Sequence, residues 1–435
     1  MAEKPTAEPE SELPSYSSVS AQKKSPTPVA GGSEHSKSLE NDGRKWLSLY
    51  VKSRSGNSST LPVFLEGDSI SGRVEIDLQK AETIKGIVIE VRAGTTFVGQ
   101  DEILFLKVDQ TLWTPTGSSK VNGRHVWPFS FTLPKETQVK EPNGKTGMYP
   151  LPPNFSERAS AAYIDYQLIV TVKRGMLRVN QTLSTNFGYY PSVFADPPSS
   201  LRRLAYTENS PLIGPDGDPE GWKMLPPIKV TGSLFSVKEV DIECQLAIAT
   251  PLCYAVGTPI PLVLTFTGQD TQALDTLAAP SAIRLCLVRS MATGSDALEK
   301  PRAGRTDNLF LETCGQAYFW PSHEGGPEDN KRVLQGELEV AKILKPSFEF
   351  PRFTIRYSLD FQPFEAPGYI PSADEPQLGP LLSEQVKIVT RPVPGLVFRS
   401  HAPPGYEKPH TTDYNKSVGL LENGNQRFYH HHPGW

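Results

Sequence analysis

Cysteine is scarce: Cys244, Cys253, Cys286 and Cys314 are the only four in 435 residues. No two stand at Cys-x-x-Cys spacing, which excludes a zinc knuckle and a thioredoxin-type motif. Cys244 and Cys286 fall in register with apolar neighbours and read as small buried hydrophobes in their reduced form. No apolar run approaches the ~20 residues a membrane helix needs. The opening Met1-Ala2-Glu3-Lys4-Pro5 lacks the apolar core of a signal peptide, so a soluble, cytoplasmic chain is expected. On that expectation the Asn154-Phe155-Ser156 triplet carries no sugar. An excess of one charge is also missing: 44 basic against 48 acidic residues leave a net charge of −4. That balance argues against a general polyanion binder, nucleic acid included.

Catalytic signatures are missing too. There is no Gly-x-Ser-x-Gly elbow, no His-Glu-x-x-His and no Gly-x-Gly-x-x-Gly. Gly144-Lys145-Thr146 imitates a phosphate loop, but Val139 stands where its first glycine belongs, and the segment reads as a turn. His430-His431-His432 is a terminal run without the supporting shell a metal site needs. No enzyme activity, metal or cofactor is expected. A β-sandwich hydrolase stays open only through carboxylates paired across a sheet, which spacing does not reveal.

What is abundant is proline, with 41 residues, beside 34 glycines. Helix interiors tolerate neither, so an α-rich fold is excluded. Residues 1–44 carry almost no aromatic residues and no periodicity, and are expected to be disordered. From Trp46 onward apolar residues recur with period two. Val74, Ile76 and Leu78 share one face, as do Ile87, Ile89 and Val91, then Trp127, Phe129, Phe131 and Leu133, then Tyr166, Leu168, Val170 and Val172. Pro128 has no N–H for a ladder, which predicts an edge strand. Turns at Asn122-Gly123 and Asn143-Gly144 separate these runs, the pattern of a β-sandwich.

The alternation stops after Tyr190. Residues 191–228 are punctuated by Asp196-Pro197-Pro198, Gly214-Pro215-Asp216-Gly217 and Pro226-Pro227, and read as an inter-domain linker. Period two then returns in Val240 to Ile248, Ile260 to Phe266, Ile283 to Leu287, Phe353 to Phe361, and Val386 with Ile388. Lys331 to Leu344 is ambiguous and leans towards a strand. The expected fold is all-β: two consecutive antiparallel sandwiches at 45–190 and 229–392, with disordered tails at 1–44 and 393–435.

Four segments in order resemble the arrestin family, of the fungal α-arrestin-like kind. They are Phe64-Leu65-Glu66-Gly67-Asp68-Ser69-Ile70-Ser71-Gly72-Arg73-Val74, Trp127-Pro128-Phe129-Ser130-Phe131-Thr132-Leu133-Pro134, Tyr163-Ile164-Asp165-Tyr166-Gln167-Leu168, and Pro251 through Leu262. The resemblance covers roughly residues 46–390. It implies two curved sandwiches that bind cargo and not substrates. The α-arrestin branch recruits HECT-type ubiquitin ligases to membrane transporters or receptors, so that the ubiquitylated cargo is endocytosed. The implied location is cytoplasmic, with recruitment to the plasma membrane or endosomes by peripheral association. A trafficking scaffold that works without a ligase is the alternative. Two family features are not identifiable: a clathrin box, and the buried charged cluster with which receptor-binding arrestins sense phosphate.

In that branch, recruitment uses Pro-Pro-x-Tyr motifs that dock on ligase WW domains, and Pro403-Pro404-Gly405-Tyr406 matches fully. Consecutive prolines pre-set a polyproline-II segment, so little entropy is lost on docking. The tyrosine adds an apolar ring with a hydroxyl at small rotamer cost. About 0.13 such tetrapeptides are expected by chance at this composition. Leu13-Pro14-Ser15-Tyr16 is a degenerate second copy: a WW contact through Leu13, Pro14 and Tyr16 would add avidity if a ligase spanned both. Leu151-Pro152-Pro153-Asn154-Phe155 has phenylalanine in place of tyrosine, lies among strands, and is discounted. Lys408 and Lys416 flank the motif as candidate ubiquitin acceptors. Ser25-Pro26 and Thr27-Pro28 have the form of proline-directed phosphorylation sites.

Overall fold

A computed structural model describes residues 32–117, 120–157, 160–175, 178–299, 309–322, 330–372, 379–404 and 406. The chain is all-β in two consecutive halves, as the alternation predicts. In the N-terminal half one sheet runs Ser33–Asn41, Arg44–Ser53, Ser69–Glu82, Val121–Thr132, all antiparallel. The other runs Val63–Leu65, Gln181–Tyr190, Ala162–Lys173, Gly86–Phe97, Ile103–Trp113. Their inward faces are the predicted stripes: Val74, Ile76, Leu78, Ile87, Ile89, Val91, Tyr166, Leu168, Val170 and Val172 are all buried. Pro128 lies on Val121–Thr132, which pairs on one side only, so the proline leaves no ladder bond unmade. Gly144 takes a positive φ of 84° in the turn between Glu136–Lys140 and Thr146–Pro150, as the phosphate-loop imitation was read.

The C-terminal half repeats the plan. One sheet runs Tyr318–Pro321, Lys331–Glu339, Pro259–Gly268, Lys238–Ala249, Ile228–Leu234, Tyr369–Pro371. The other runs Cys253–Ala255, Leu382–Val389, Phe353–Phe361, Leu285–Thr293, Leu309–Gln316. The stripe Phe353, Ile355, Tyr357, Leu359 and Phe361 is buried throughout. At about 2 kcal/mol per large apolar side chain, it is a main support of this half. All four cysteines are buried and free. No helix among the described residues is long and apolar enough to cross a membrane.

Three predicted boundaries move. The first strand begins at Ser33, inside the stretch 1–44 expected to be disordered. It is polar because it is an edge strand, and Asp42-Gly43, with φ of 50° and 77°, turns it back onto Arg44–Ser53. Residues 191–228 are no loose linker. Helix Ser200–Glu208 is capped by Ser199, whose hydroxyl accepts from Arg202 N, and Trp222–Met224 joins the Lys238–Ala249 strand. Arg202 is buried, donating to the carbonyls of Thr250 (2.8 Å) and Gly221, with its guanidinium 4.7 Å from the Trp222 ring. The tail expected from 393 is laid along the C-terminal half as far as Tyr406, the last described residue.

The halves share one apolar core. Phe105 meets Phe350 and Phe155 meets Phe353, each at 4.9 Å between ring centroids. Residues 193–195 and 391 pair side by side: Arg391 N donates to Val193 O at 2.9 Å, and Ala195 N to Arg391 O at 2.8 Å. The Thr390 hydroxyl completes the seam on Pro191 O at 2.8 Å.

Candidate functional site: a proline–tyrosine segment on the C-terminal sandwich

The site is built at the edge of the C-terminal sandwich. Tyr318–Pro321 pairs with Lys331–Glu339, placing Tyr318 opposite Glu337 and Trp320 opposite Gln335. Residues two apart on a strand share a face, so Tyr318 and Trp320 stand together, their rings 5.8 Å apart. Glu337 is only 2 % exposed, and its carboxylate faces three donors. The Tyr318 hydroxyl reaches Oε2 at 3.2 Å; the other two donors come from the tail. Burial, with the neighbouring Glu337 carboxylate, pushes the Tyr318 phenol up to about 12, so it stays a donor at neutral pH.

Helix Ser200–Glu208 supplies the second wall through Tyr206, a buried phenol that burial pushes up to about 12. The tail runs across both. Phe398 packs on the Tyr206 ring at 4.9 Å and His401 lies 6.0 Å from it. Arg399 Nη1 donates to Asn209 Oδ1 at 3.4 Å. Ser400 Oγ donates to Glu337 Oε2 and the His401 amide to Glu337 Oε1, both at 2.6 Å. Pro403 is half-buried and Pro404 exposed. Tyr406 is 40 % exposed, its ring tilted over Trp320 at 6.3 Å. Its amide donates to the Pro403 carbonyl at 3.3 Å.

The predicted site residues Pro403, Pro404 and Tyr406 are therefore at the surface, yet attached and not at the end of a slack tether. Lys408 and Lys416, with Leu13, Pro14 and Tyr16, lie outside the described residues, as do Ser25, Thr27 and the terminal histidines. The discounted Leu151–Phe155 stretch is interior, with Phe155 fully buried against Phe353. Tyr206, Tyr318, Trp320 and Glu337, which contact the tail, escaped sequence reading. Their one signal is the aromatic run Tyr318-Phe319-Trp320, in which two rings face away from the core.

A second feature lies between the halves, a largely buried group of ion-paired residues. Arg289, 4 % exposed, bridges the halves: its guanidinium donates to Glu157 at 2.7 and 2.9 Å and also to buried Glu312. Burial pulls the Arg289 guanidinium down, but its bonds to Glu157 outweigh this and leave it above its ordinary value. Burial pushes the Glu312 carboxyl up, and the Arg289 charge offsets only part of that. Burial lowers the Lys345 ammonium, which also feels the charges of Glu157 and Arg289. The three ion-paired residues are spread from 157 to 312, so no local motif announces them.

No known family model matches the chain, and no curated protein resembles it significantly in sequence.

Proposed function

We propose that this protein is a non-enzymatic adaptor of the arrestin-like type. It recruits a WW-domain ubiquitin ligase of the HECT class to cytosolic segments of membrane transporters or receptors for ubiquitylation and endocytosis. The observation that carries the reading is the complete Pro403-Pro404-Gly405-Tyr406 sequence motif, whose Pro404 and Tyr406 are exposed on a double β-sandwich. In the WW-bound form the prolines would lie in an aromatic groove and the tyrosine in its own pocket. Work of this kind takes place in the cytoplasm, with peripheral recruitment to membranes. The resemblance and the motif support this reading together.

The test is binding of the full-length protein to an isolated WW-domain array, with and without Tyr406→Ala. The adaptor reading expects the single change to remove most of the binding. A wild type that does not bind, together with a free peptide carrying Pro403 to Tyr406 that does not bind either, refutes it. Binding that survives the change would move the contact to Leu13, Pro14 and Tyr16. A second reading, a trafficking scaffold independent of a ligase, is favoured by one observation: Tyr406 is laid against Trp320 and does not project freely.

A further inference from the structure

Three features of residues 396–406 belong together. First, the segment is fixed through a carboxylate that its own partners bury. Glu337 is 2 % exposed, and two of its three donors, Ser400 Oγ and the His401 amide, come from the tail. Second, the contacts flank the motif on both sides: Phe398 on Tyr206 before it, and Tyr406 on Trp320 at its end. Third, the Tyr406 amide donates to the Pro403 carbonyl. A polyproline-II segment makes no internal hydrogen bonds, so this closed form is not the one a WW groove accepts.

We infer that the surface formed by Tyr206, Tyr318, Trp320 and Glu337 is a docking seat for the chain's own residues 396–404 and Tyr406, and that occupying it masks the Pro403–Tyr406 motif. This rests on the ligase-recruitment reading and adds its regulation. The same Tyr406 ring cannot lie on Trp320 and enter a WW pocket. The same backbone cannot hold the 403–406 hydrogen bond and extend. WW binding and seating are therefore competitors, and the motif is available only in the fraction of molecules whose tail has left. A seated fraction near nine-tenths weakens apparent WW binding about tenfold against the free segment.

The seat releases its occupant most readily at Ser400. The residue is exposed while its hydroxyl points at the buried carboxylate, so a negative charge there faces Glu337 directly. Like charges in such a setting repel strongly, and the segment leaves. Replacing Glu337 itself has the same effect. A glutamine removes the charge that strengthens all three bonds and turns an NH2 donor toward the Ser400 and Tyr318 hydroxyls, which must reverse their bonds to accept it, so the tail is held less tightly.

The experiment titrates one isolated WW domain against the full-length protein and against a synthetic peptide of residues 396–412. The peptide should bind about tenfold more tightly than the full chain. Glu337→Gln, Phe398→Ala and Ser400→Asp in the full chain should each close most of that gap. Ser400→Asp in the peptide should change nothing, which separates unmasking from a direct gain of contact. The last two changes lie in the tail and leave the sandwich intact, so a folding defect in Glu337→Gln does not decide the matter. Amide exchange at His401 should be slow in the free protein and accelerate when the WW domain binds. Equal affinity of peptide and full chain overturns the mask, as does a gap that none of the three variants narrows. A peptide that does not bind refutes the ligase reading itself, and the mask with it.

Discussion

Arg289 gives the sharpest test of how the two halves are joined. Replacing it with methionine keeps most of the side-chain volume and deletes the charge that serves both Glu157 and Glu312. The two acids then contribute unequally. The Glu157 side chain is 28 % exposed and can recover water, so its share is at most about 1 kcal/mol. Glu312 is 8 % exposed at its side chain and is left as an uncompensated buried carboxylate. Removing one partner of a buried pair costs about 3–5 kcal/mol, so Arg289→Met should fall in that range. Arg289→Met with Glu312→Leu should recover at least about 2 kcal/mol, because the stranded charge is gone. Urea unfolding of the full-length protein, followed by tryptophan fluorescence and calorimetry, reads both effects. The pH dependence has a definite sign. A Glu312 carboxyl raised by burial means that the native state holds a proton more tightly than the unfolded chain. Stability from this group is present at acidic pH and lost as pH rises through the folded value. The deficit of Arg289→Met should therefore be smaller near about pH 5 than near about pH 7. A single-variant cost below about 1 kcal/mol, or a double variant no better than the single, would refute the argument.

Asp68 tests the opposite sign. Burial raises its carboxyl, but the Arg54 fork at 2.6 Å and the Leu65 amide at 2.9 Å outweigh this and hold it below the ordinary value of 3.8. Asp68→Asn should cost about 1–2 kcal/mol at neutral pH, discounted because Arg54 is 41 % exposed. In an acid titration that cost should disappear as pH falls through the lowered value. Gly72→Ala places a Cβ 1.9 Å from the Tyr50 carbonyl oxygen, so the strand pair must part, at about 1–3 kcal/mol or more by thermal melting. Arg202→Lys keeps a charge that cannot bridge Thr250 O and Gly221 O from beside Trp222; it should destabilise by about 2–4 kcal/mol and shift the tryptophan emission. The four thiols should resist an aromatic disulfide reagent in the native protein and all react in denaturant, because burial holds each of them up.

The strands were legible because a half-buried strand writes its burial directly into alternate residues. Phe353 to Phe361 needs no context to be read, and Leu334, Gly336 and Leu338 are buried as the ambiguous Lys331–Leu344 stretch suggested. Elements that escaped were those whose partner lies elsewhere. Ser33–Asn41 buries little and is held by its neighbour's backbone, leaving Asp42-Gly43 as its one local sign. Helix Ser200–Glu208 carries an arginine on its buried side, which breaks any apolar stripe. The motif at Pro403–Tyr406 was legible as chemistry, but its attachment was not. That depends on Glu337 and Trp320, more than sixty residues upstream and paired by a strand register that spacing cannot reveal.

The seam of residues 193–195 with 391 has a mechanical consequence. The chain crosses from one sandwich to the other through this strip, and it also leaves the second sandwich through it. A single covalent crossing would act as a swivel; two backbones laced together act as a door hinge, with one stiff axis. Any rocking of one sandwich against the other is then transmitted along the rails of that hinge to the point where the tail departs. Anything that reorients the sandwiches would pull on the tail without touching it.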